Sequence, residues 1–169
     1  MVFRFRMLSD ENDNFVRDYE VPYDMTLLDF HNFILRSLEY EECMASFFTA
    51  DDRWNKLQEF TAMDMGATES DGELLPQAMD RTLLSQVVRK KRDRLIYQFD
   101  VLGDRAFFLE LTEAMKAEPD KRYPAVTLAE GDAPDQYRAG AGSGSGSVFD
   151  DAMGDFSDFA GTDGYGDDE

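Results

Sequence analysis

The chain opens with two stretches in which apolar and polar side chains alternate. Residues 2–8 and residues 14–21 each place their large apolar side chains at every second position. Alternation at period two is typical of a strand with one buried face. The turn-forming segment at residues 9–14 separates the two stretches, and Pro22 follows the second. We therefore predict an antiparallel hairpin at the start of the domain.

The next segment changes to a helical period. Its apolar positions recur every three or four residues, at Leu27, Phe30, Ile34 and Leu38. This spacing predicts an amphipathic helix, with Asp24 or Thr26 as the cap and an end near residues 39–42. Residues 44–49 and 56–61 predict two further strands, which gives the order ββαββ.

The stretch at residues 95–111, the central hairpin, is the most regular of the chain. Its first half is apolar on nearly both faces, which predicts a strand in the middle of the sheet. Gly103 and Asp104 indicate the turn, with Gly103 as the residue that accepts a positive φ. Thr82 could cap a short helix before the hairpin, and residues 125–128 could add an edge strand or a docked arm.

These elements predict an α+β fold. We expect a small antiparallel or mixed sheet of about six or seven strands, with one main helix packed on one face. The order ββαββ, followed by the central hairpin towards the C-terminal end of the domain, resembles a β-grasp by analogy only.

Three segments differ sharply in composition. Residues 1–138 predict a single α+β domain, residues 139–147 form a Gly/Ser linker, and residues 148–169 form an acidic tail. The tail has too few apolar residues to fold alone, so we expect it to be disordered.

Charge excludes some classes of function. The 169-residue chain has a net charge of −19, of which residues 1–138 carry −11 and residues 148–169 carry −8. Such a surface repels phosphate, so we expect no non-specific nucleic-acid binding and no binding to anionic membranes. Cys43 is the only cysteine, and residues 1–8 lack the pattern of a signal peptide. We therefore expect a cytoplasmic protein.

Part of the central hairpin also carries a family resemblance. The motif residues are Tyr97, Phe99, Asp100, Gly103, Asp104 and Glu110. They resemble the plasmid pRiA4b ORF-3-like family, whose members are also described as insertion-element passenger proteins of TnpR type. His31 lies where the helix of that family has a histidine, and the resemblance covers about residues 1–138. The Trp and His that follow this motif in the family are missing, and residues 105–108 fill that region. The second His that the family has after its helix is missing as well.

Two groups of side chains could carry chemistry. His31, the only histidine, could act as a general base or metal ligand, or could hydrogen-bond a neighbouring element from the flank of its helix. Asp100, Asp104 and Glu110 could bind a divalent cation, or the two aspartates could shape the turn by accepting backbone N–H groups. We favour the structural interpretation in both cases and expect neither a cofactor nor a bound metal.

Two further groups could bind a partner. One is the basic run Arg89, Lys90, Lys91 and Arg92, which is typical of a solvated helix end and could also contact nucleic acid or carboxylates. The other consists of the tail's large apolar residues, Phe149, Met153, Phe156, Phe159 and Tyr165. Aromatic residues among aspartates are typical of a short recognition segment, although the tail could also serve solubility alone.

We therefore favour a non-enzymatic protein-interaction module. Its groove would lie beside the central hairpin, and its tail would bind a partner or that groove. The second hypothesis is a metal-assisted hydrolase that uses His31, Asp100, Asp104 and Glu110. The third is an accessory of DNA recombination, which the TnpR-type resemblance suggests and the net charge disfavours.

Overall fold

The computed structural model describes residues 1–62 and 76–137 of the chain. Within them, eight strands form one mixed sheet with the order β5-β4-β3-β6-β7-β1-β2-β8. The strands are β1 (Val2–Ser9), β2 (Val16–Pro22), β3 (Ser46–Ala50), β4 (Lys56–Thr61), β5 (Gln77–Ala78), β6 (Arg94–Asp100), β7 (Arg105–Met115) and β8 (Ala125–Glu130). Only the two-residue β4–β5 pair is parallel. All eight strands belong to a compact unit, Met1–Pro134, and a second unit spans Asp135–Glu169.

One main helix, α1 (Leu27–Leu38), lies between β2 and β3 in the chain. Its N-cap is Thr26, whose hydroxyl oxygen accepts the backbone N–H of Asp29 at 3.0 Å. This satisfies one of the N–H groups that every helix leaves unpaired at its start. Glu39 adopts a left-handed conformation, with φ of 58°, and ends the helix. The sequence left Asp24 and Thr26 open as caps, and Thr26 fills that role.

Helix α1 packs on one face of the sheet, which we call the helix-covered face. Phe30 of α1 stacks on Phe47 at a centroid distance of 5.6 Å and lies 5.3 Å from Phe5. The strands supply their alternate buried residues to this face, among them Phe5, Met7, Tyr19, Val21, Phe47, Leu95, Tyr97, Phe107 and Leu109. The core therefore lies between α1 and the sheet and is rich in aromatic rings.

The central hairpin is present and lies in the middle of the sheet, as predicted. β6 pairs with β3 and β7, and β7 pairs with β6 and β1, all antiparallel. The prediction for the turn was wrong in one respect, because the positive φ of 53° belongs to Asp104 and not to Gly103. A Cβ added at Gly103 would lie 2.6 Å from a carboxylate oxygen of Asp100, so a larger residue there would have to displace that side chain.

The opposite side of the sheet, which we call the open face, has no helix packed on it among the described residues. It carries the polar residues that alternate with the core, including Arg4, Arg6, Asp18, Glu20, Arg94 and Glu110. They pair across neighbouring strands, as in the Arg6–Asp18 pair at 2.8 Å. Such pairs lie directly opposite one another in an antiparallel sheet.

Glu20 is the most buried carboxylate of the open face, with 1% of its side chain exposed. It accepts Arg4 at 2.7 Å and Lys121, from the β7–β8 connection, at 3.2 Å. Burial raises the pKa of Glu20, but the hydrogen bonds and charges of these two cations outweigh it, so the pKa lies below its ordinary value. The carboxylate is therefore ionised and paired on both oxygens.

Two details of the fold depart from the sequence prediction. The sheet has eight described strands instead of six or seven, because β5 was not predicted, whereas β8 is the edge strand offered at residues 125–128. The short helix α2 (Leu84–Val87) starts after Leu83, so Thr82 is not its cap. The Thr82 hydroxyl donates instead to the carbonyl of Ala78, across a short 3₁₀ helix, Met79–Arg81.

Some predictions fall outside the described residues. They concern the polar loop at residues 63–75, the linker at 139–147 and the tail at 148–169. The α+β class itself is confirmed, with strands as its larger part. The comparison with a β-grasp stays an analogy.

Candidate functional site: a cavity beside the central hairpin

A cavity of about 590 Å³ opens beside the central hairpin. Its wall comes from α1, from residues 42–46, from the end of β4 and from the β6–β7 turn. The apolar part of the wall consists of Leu28, Met44, Ala45, Ala62 and Val101. Sites for small molecules and side chains are commonly concave and mostly apolar, with a few polar groups. This cavity has that composition.

The mouth of the cavity exposes apolar side chains to solvent. Met44 is 71% exposed and Val101 is 45% exposed, and both line the cavity. Leu102, the next residue in the turn, is fully exposed. A contiguous group of exposed apolar side chains is a feature of binding surfaces.

His31 forms the buried polar part of the wall, with 2% of its surface exposed. Its Nδ1 lies 2.6 Å from the hydroxyl of Tyr97 on β6. Burial lowers the pKa of His31, and the charge of Glu42 acts in the opposite direction. Burial also raises the pKa of Tyr97 well above its ordinary value. At neutral pH the pair is therefore a neutral imidazole beside an intact phenol.

Two carboxylates give the cavity a negative potential. Glu42 and Glu59 both line it, and no lysine or arginine does among the described residues. Glu42 is solvent-exposed, whereas Glu59 accepts a hydrogen bond from the hydroxyl of Ser46 at 2.9 Å. Cys43 also lines the cavity, and its thiol donates to the carbonyl of Phe99 at 3.5 Å. The arrangement suits a cationic group better than an anionic one.

The hydrogen bond proposed for His31 to a neighbouring element is present, and its partner is Tyr97. The three candidate carboxylates, those of Asp100, Asp104 and Glu110, take no part in this hydrogen bond. Asp100 accepts the backbone N–H of Gly103 at 2.9 Å, as the structural interpretation predicted for the turn.

Asp104 does not bond a backbone N–H in the turn, so that part of the interpretation was wrong. Its carboxylate accepts the side chain of Gln98 at 2.6 Å and pairs with Lys56 at 3.3 Å. Glu110 lies on the open face and pairs with Arg94 at 3.3 Å. In the described part of the chain, no group of three or more His, Cys, Asp and Glu side chains is placed to hold a metal ion.

The basic run lies on a turn and not at the end of a helix, because α2 stops at Val87. Asp93 holds this turn by accepting the backbone N–H groups of Arg89 and Lys90, at 2.7 and 3.1 Å. All four side chains, those of Arg89, Lys90, Lys91 and Arg92, are exposed. The prediction that the run is solvated agrees with this exposure. The aromatic candidates of the tail, at positions 149, 153, 156, 159 and 165, lie outside the described residues.

Sequence reasoning did not identify most of the cavity wall. Met44, Ser46 and Glu59 were not candidates, because nothing in a local pattern links residues 42–46 to β4. The one available signal was Met44 itself, an apolar residue directly after the polar end of α1.

Comparisons with known proteins agree with the resemblance of the central hairpin. The family model of the plasmid pRiA4b ORF-3-like protein matches residues 2–143, so the chain belongs to that family. No curated protein matches the chain.

A solved structure has a similar fold. The crystal structure of the protein of unknown function MM3350 from Methanosarcina mazei Go1 aligns with a TM-score of 0.60 at 18% identity. The alignment covers 76% of this chain and 68% of that chain. At this identity the likeness concerns the fold alone.

A helix that crosses a membrane must be long and apolar. Neither α1 nor any other helix in the described ranges is long and apolar enough to cross a bilayer.

Proposed function

We propose that this protein is a non-enzymatic, cytoplasmic interaction module. Its cavity binds a segment of a partner protein that carries an apolar group next to a cation. The observation that carries the proposal is the cavity of about 590 Å³, which combines an apolar wall with carboxylates.

Exposed apolar side chains of the cavity wall favour an apolar group on the partner. Met44 and Val101 line the cavity and leave much of their surface in water. Burying apolar surface lowers the free energy by roughly 25 cal/mol for each Å². An apolar group of a partner that enters the cavity therefore lowers the free energy of binding, because it covers apolar surface both in the wall and at the mouth.

The charge of the cavity wall favours a cation on the partner. Glu42 and Glu59 line the cavity, and the chain as a whole has a net charge of −19. Long-range electrostatic attraction therefore favours the approach of a cationic partner, and its cation forms an ion pair with these carboxylates. An anionic partner is repelled.

Binding is favoured over hydrolysis by the positions of the candidate residues. A metal-assisted hydrolase would need His31, Asp100, Asp104 and Glu110 to converge. Instead Asp104 pairs with Lys56, Glu110 pairs with Arg94 on the open face, and His31 bonds Tyr97 on the helix-covered face.

A role in DNA recombination is a second candidate, and one observation favours it. The turn at residues 89–92 exposes four consecutive cations. This hypothesis predicts salt-dependent retention of DNA, and a gel-shift assay at low salt decides it. A charge-reversed chain, Lys90→Glu with Lys91→Glu, is the matched control.

The main proposal is tested with small probes by amide NMR of the full chain. Phenethylammonium carries an aromatic ring and a cation, and 3-phenylpropanoate carries the same ring and an anion. We expect the cation alone to shift the amides of residues 42–46 and 101. Equal binding of both probes, or shifts confined to other residues, would contradict the proposal.

Two variants sharpen this test. Ala62→Phe fills the cavity and should abolish binding of the cation, whereas Ala129→Phe on the exposed strand β8 should leave it unchanged. Glu42→Gln should weaken binding about two- to fivefold, because one exposed pair is lost. Glu41→Gln, the neighbouring carboxylate outside the cavity wall, is its control.

The acidic tail remains a separate part of the proposal, as a recognition segment for an external protein. Affinity purification followed by mass spectrometry should compare the full chain, residues 1–138 and the Ala62→Phe variant. Proteins lost with the tail and proteins lost with the filled cavity define two distinct contacts. A partner list that neither change affects would contradict both.

A further inference from the structure

We infer that His31 presents its Nε2–H group to the cavity as a hydrogen-bond donor, and that Tyr97 fixes this tautomer. The bound segment then offers a carbonyl oxygen to that donor, next to its cation. The ligand class is therefore a peptide amide with an adjacent positive charge. This inference rests on the proposed function of the cavity and makes its chemistry more specific.

The first step concerns the hydroxyl of Tyr97. Tyr97 is fully buried, and His31 is its only described hydrogen-bond partner. A buried O–H group without an acceptor is costly, whereas a phenol oxygen without a donor costs less. The hydroxyl therefore donates to Nδ1 of His31, 2.6 Å away.

The second step concerns the proton of the imidazole. A neutral imidazole carries one N–H and one acceptor nitrogen. Since Nδ1 accepts from Tyr97, the proton of His31 lies on Nε2. Burial keeps the ring neutral, because it lowers the pKa of His31.

The third step concerns what Nε2–H can reach. His31 is 98% buried and lines the cavity, and no described residue accepts a hydrogen bond from its Nε2. Glu42 acts on the ring through its charge without a hydrogen bond to it. A buried donor of this kind calls for an acceptor on the ligand.

The fourth step concerns the acceptor. The carboxylates of Glu42 and Glu59 repel any further anion in the cavity, so a carboxylate is a poor ligand. A neutral carbonyl satisfies Nε2–H without that penalty. A peptide unit beside an ammonium or guanidinium group supplies both features.

The test uses a matched pair of probes on the full chain. Phenylalanine amide differs from phenethylammonium by one amide group on the same skeleton. We expect it to bind about tenfold more tightly, because it satisfies the buried donor. NMR of the imidazole nitrogens gives the tautomer directly, since His31 is the only histidine. We expect the proton on Nε2.

The variant Tyr97→Phe separates positioning from packing. It should yield a mixed tautomer and bring the two probes to nearly equal affinity. Tyr19→Phe is the control, because Tyr19 is also fully buried but its hydroxyl is hydrogen-bonded to that of Ser37, at 2.6 Å. It should leave the tautomer and the preference unchanged. If Tyr97→Phe does not fold, the tautomer of the unmodified chain still decides the first two steps.

The outcomes separate this inference from the proposed function. Equal affinity for both probes, or a proton on Nδ1, overturns the inference and leaves the cation-binding cavity in place. Failure of both probes to bind overturns the proposed function, and the inference fails with it.

Discussion

The two faces of the sheet use the same strands in different ways. On the helix-covered face, aromatic rings fill the core, and Phe30 for example packs between Phe5 and Phe47. The open face is covered by paired charges, and Arg94 also lies 4.5 Å over the ring of Trp54. Because neighbouring residues of a strand point to opposite faces, each strand contributes to both.

The comparison shows that the charges of the open face are largely paired with one another. The cations of the open face pair with carboxylates of the same face or its border, in the pairs Arg4–Glu20, Arg4–Glu113, Arg6–Asp18, Arg94–Glu110 and Lys121–Glu20. In these five pairs four cations meet four carboxylates, so their charges largely cancel. The two carboxylates of the cavity wall, Glu42 and Glu59, have no lysine or arginine beside them in the described wall.

The largest effect should come from the helix-covered face. Phe30→Ala removes a fully buried ring from between two others, and should lower the free energy of unfolding by about 3–5 kcal/mol. Phe108→Ala, which removes a half-buried ring from the open face, should cost about 1–2 kcal/mol. Urea unfolding of both variants measures the contrast, and similar losses would show that the faces contribute alike.

A smaller effect should come from the charges of the open face. Glu20→Gln leaves Arg4 and Lys121 without their shared carboxylate, and should cost about 1–3 kcal/mol. Glu113→Gln removes the other partner of Arg4, which is 52% exposed, and should cost less than about 0.5 kcal/mol. Thermal or urea unfolding at neutral pH checks both, and a reversed order would mean that burial does not set the strength of these pairs.

The smallest effect should be the pH dependence due to His31. Its pKa lies below 6.5 in the folded chain, so below about pH 6.5 the unfolded chain binds a proton that the folded chain does not. The stabilisation is therefore complete above that pH and decreases as the pH falls, by at most about 1.4 kcal/mol per pH unit.

The variant His31→Leu provides the comparison for this effect. Its free energy of unfolding should lack this slope between about pH 7 and pH 5.5, where most carboxylates stay ionised. Urea unfolding at several pH values measures it. An unchanged slope in His31→Leu would assign the pH dependence to other groups.

The sequence predicted the elements with a regular hydrophobic pattern. Residues 2–8 were recognisable as a strand because a buried face and a polar face alternate along them, and residues 95–100 because they are apolar on nearly both faces. The start of α2 was not, because Thr82 is a good capping residue by type but bonds back to Ala78. Leu83 is the N-cap of α2 instead, and its N–H is satisfied by the side chain of Gln86.

The candidate site was predictable only in part. The hydrogen bond of His31 followed from its place on the flank of α1, but Tyr97 as its partner depends on how α1 crosses β6. Arg105 is 5% exposed and pairs with Glu11, which is 94 residues away in the chain. Local patterns hold no information on such pairs, nor on a cavity whose wall comes from four separate segments.

The pairing of β1 with β7 also determines the order in which the sheet can form. The pairing of β1 with its second neighbour is complete only after the ribosome has released Met115, because Met115 pairs with Val2. Until then both edges of the first hairpin are unpaired, since the outer neighbour of β2 is β8, and contacts this distant in sequence form slowly. The nascent chain therefore carries an incomplete sheet until β7 has left the ribosome, and the centre of the sheet closes only then.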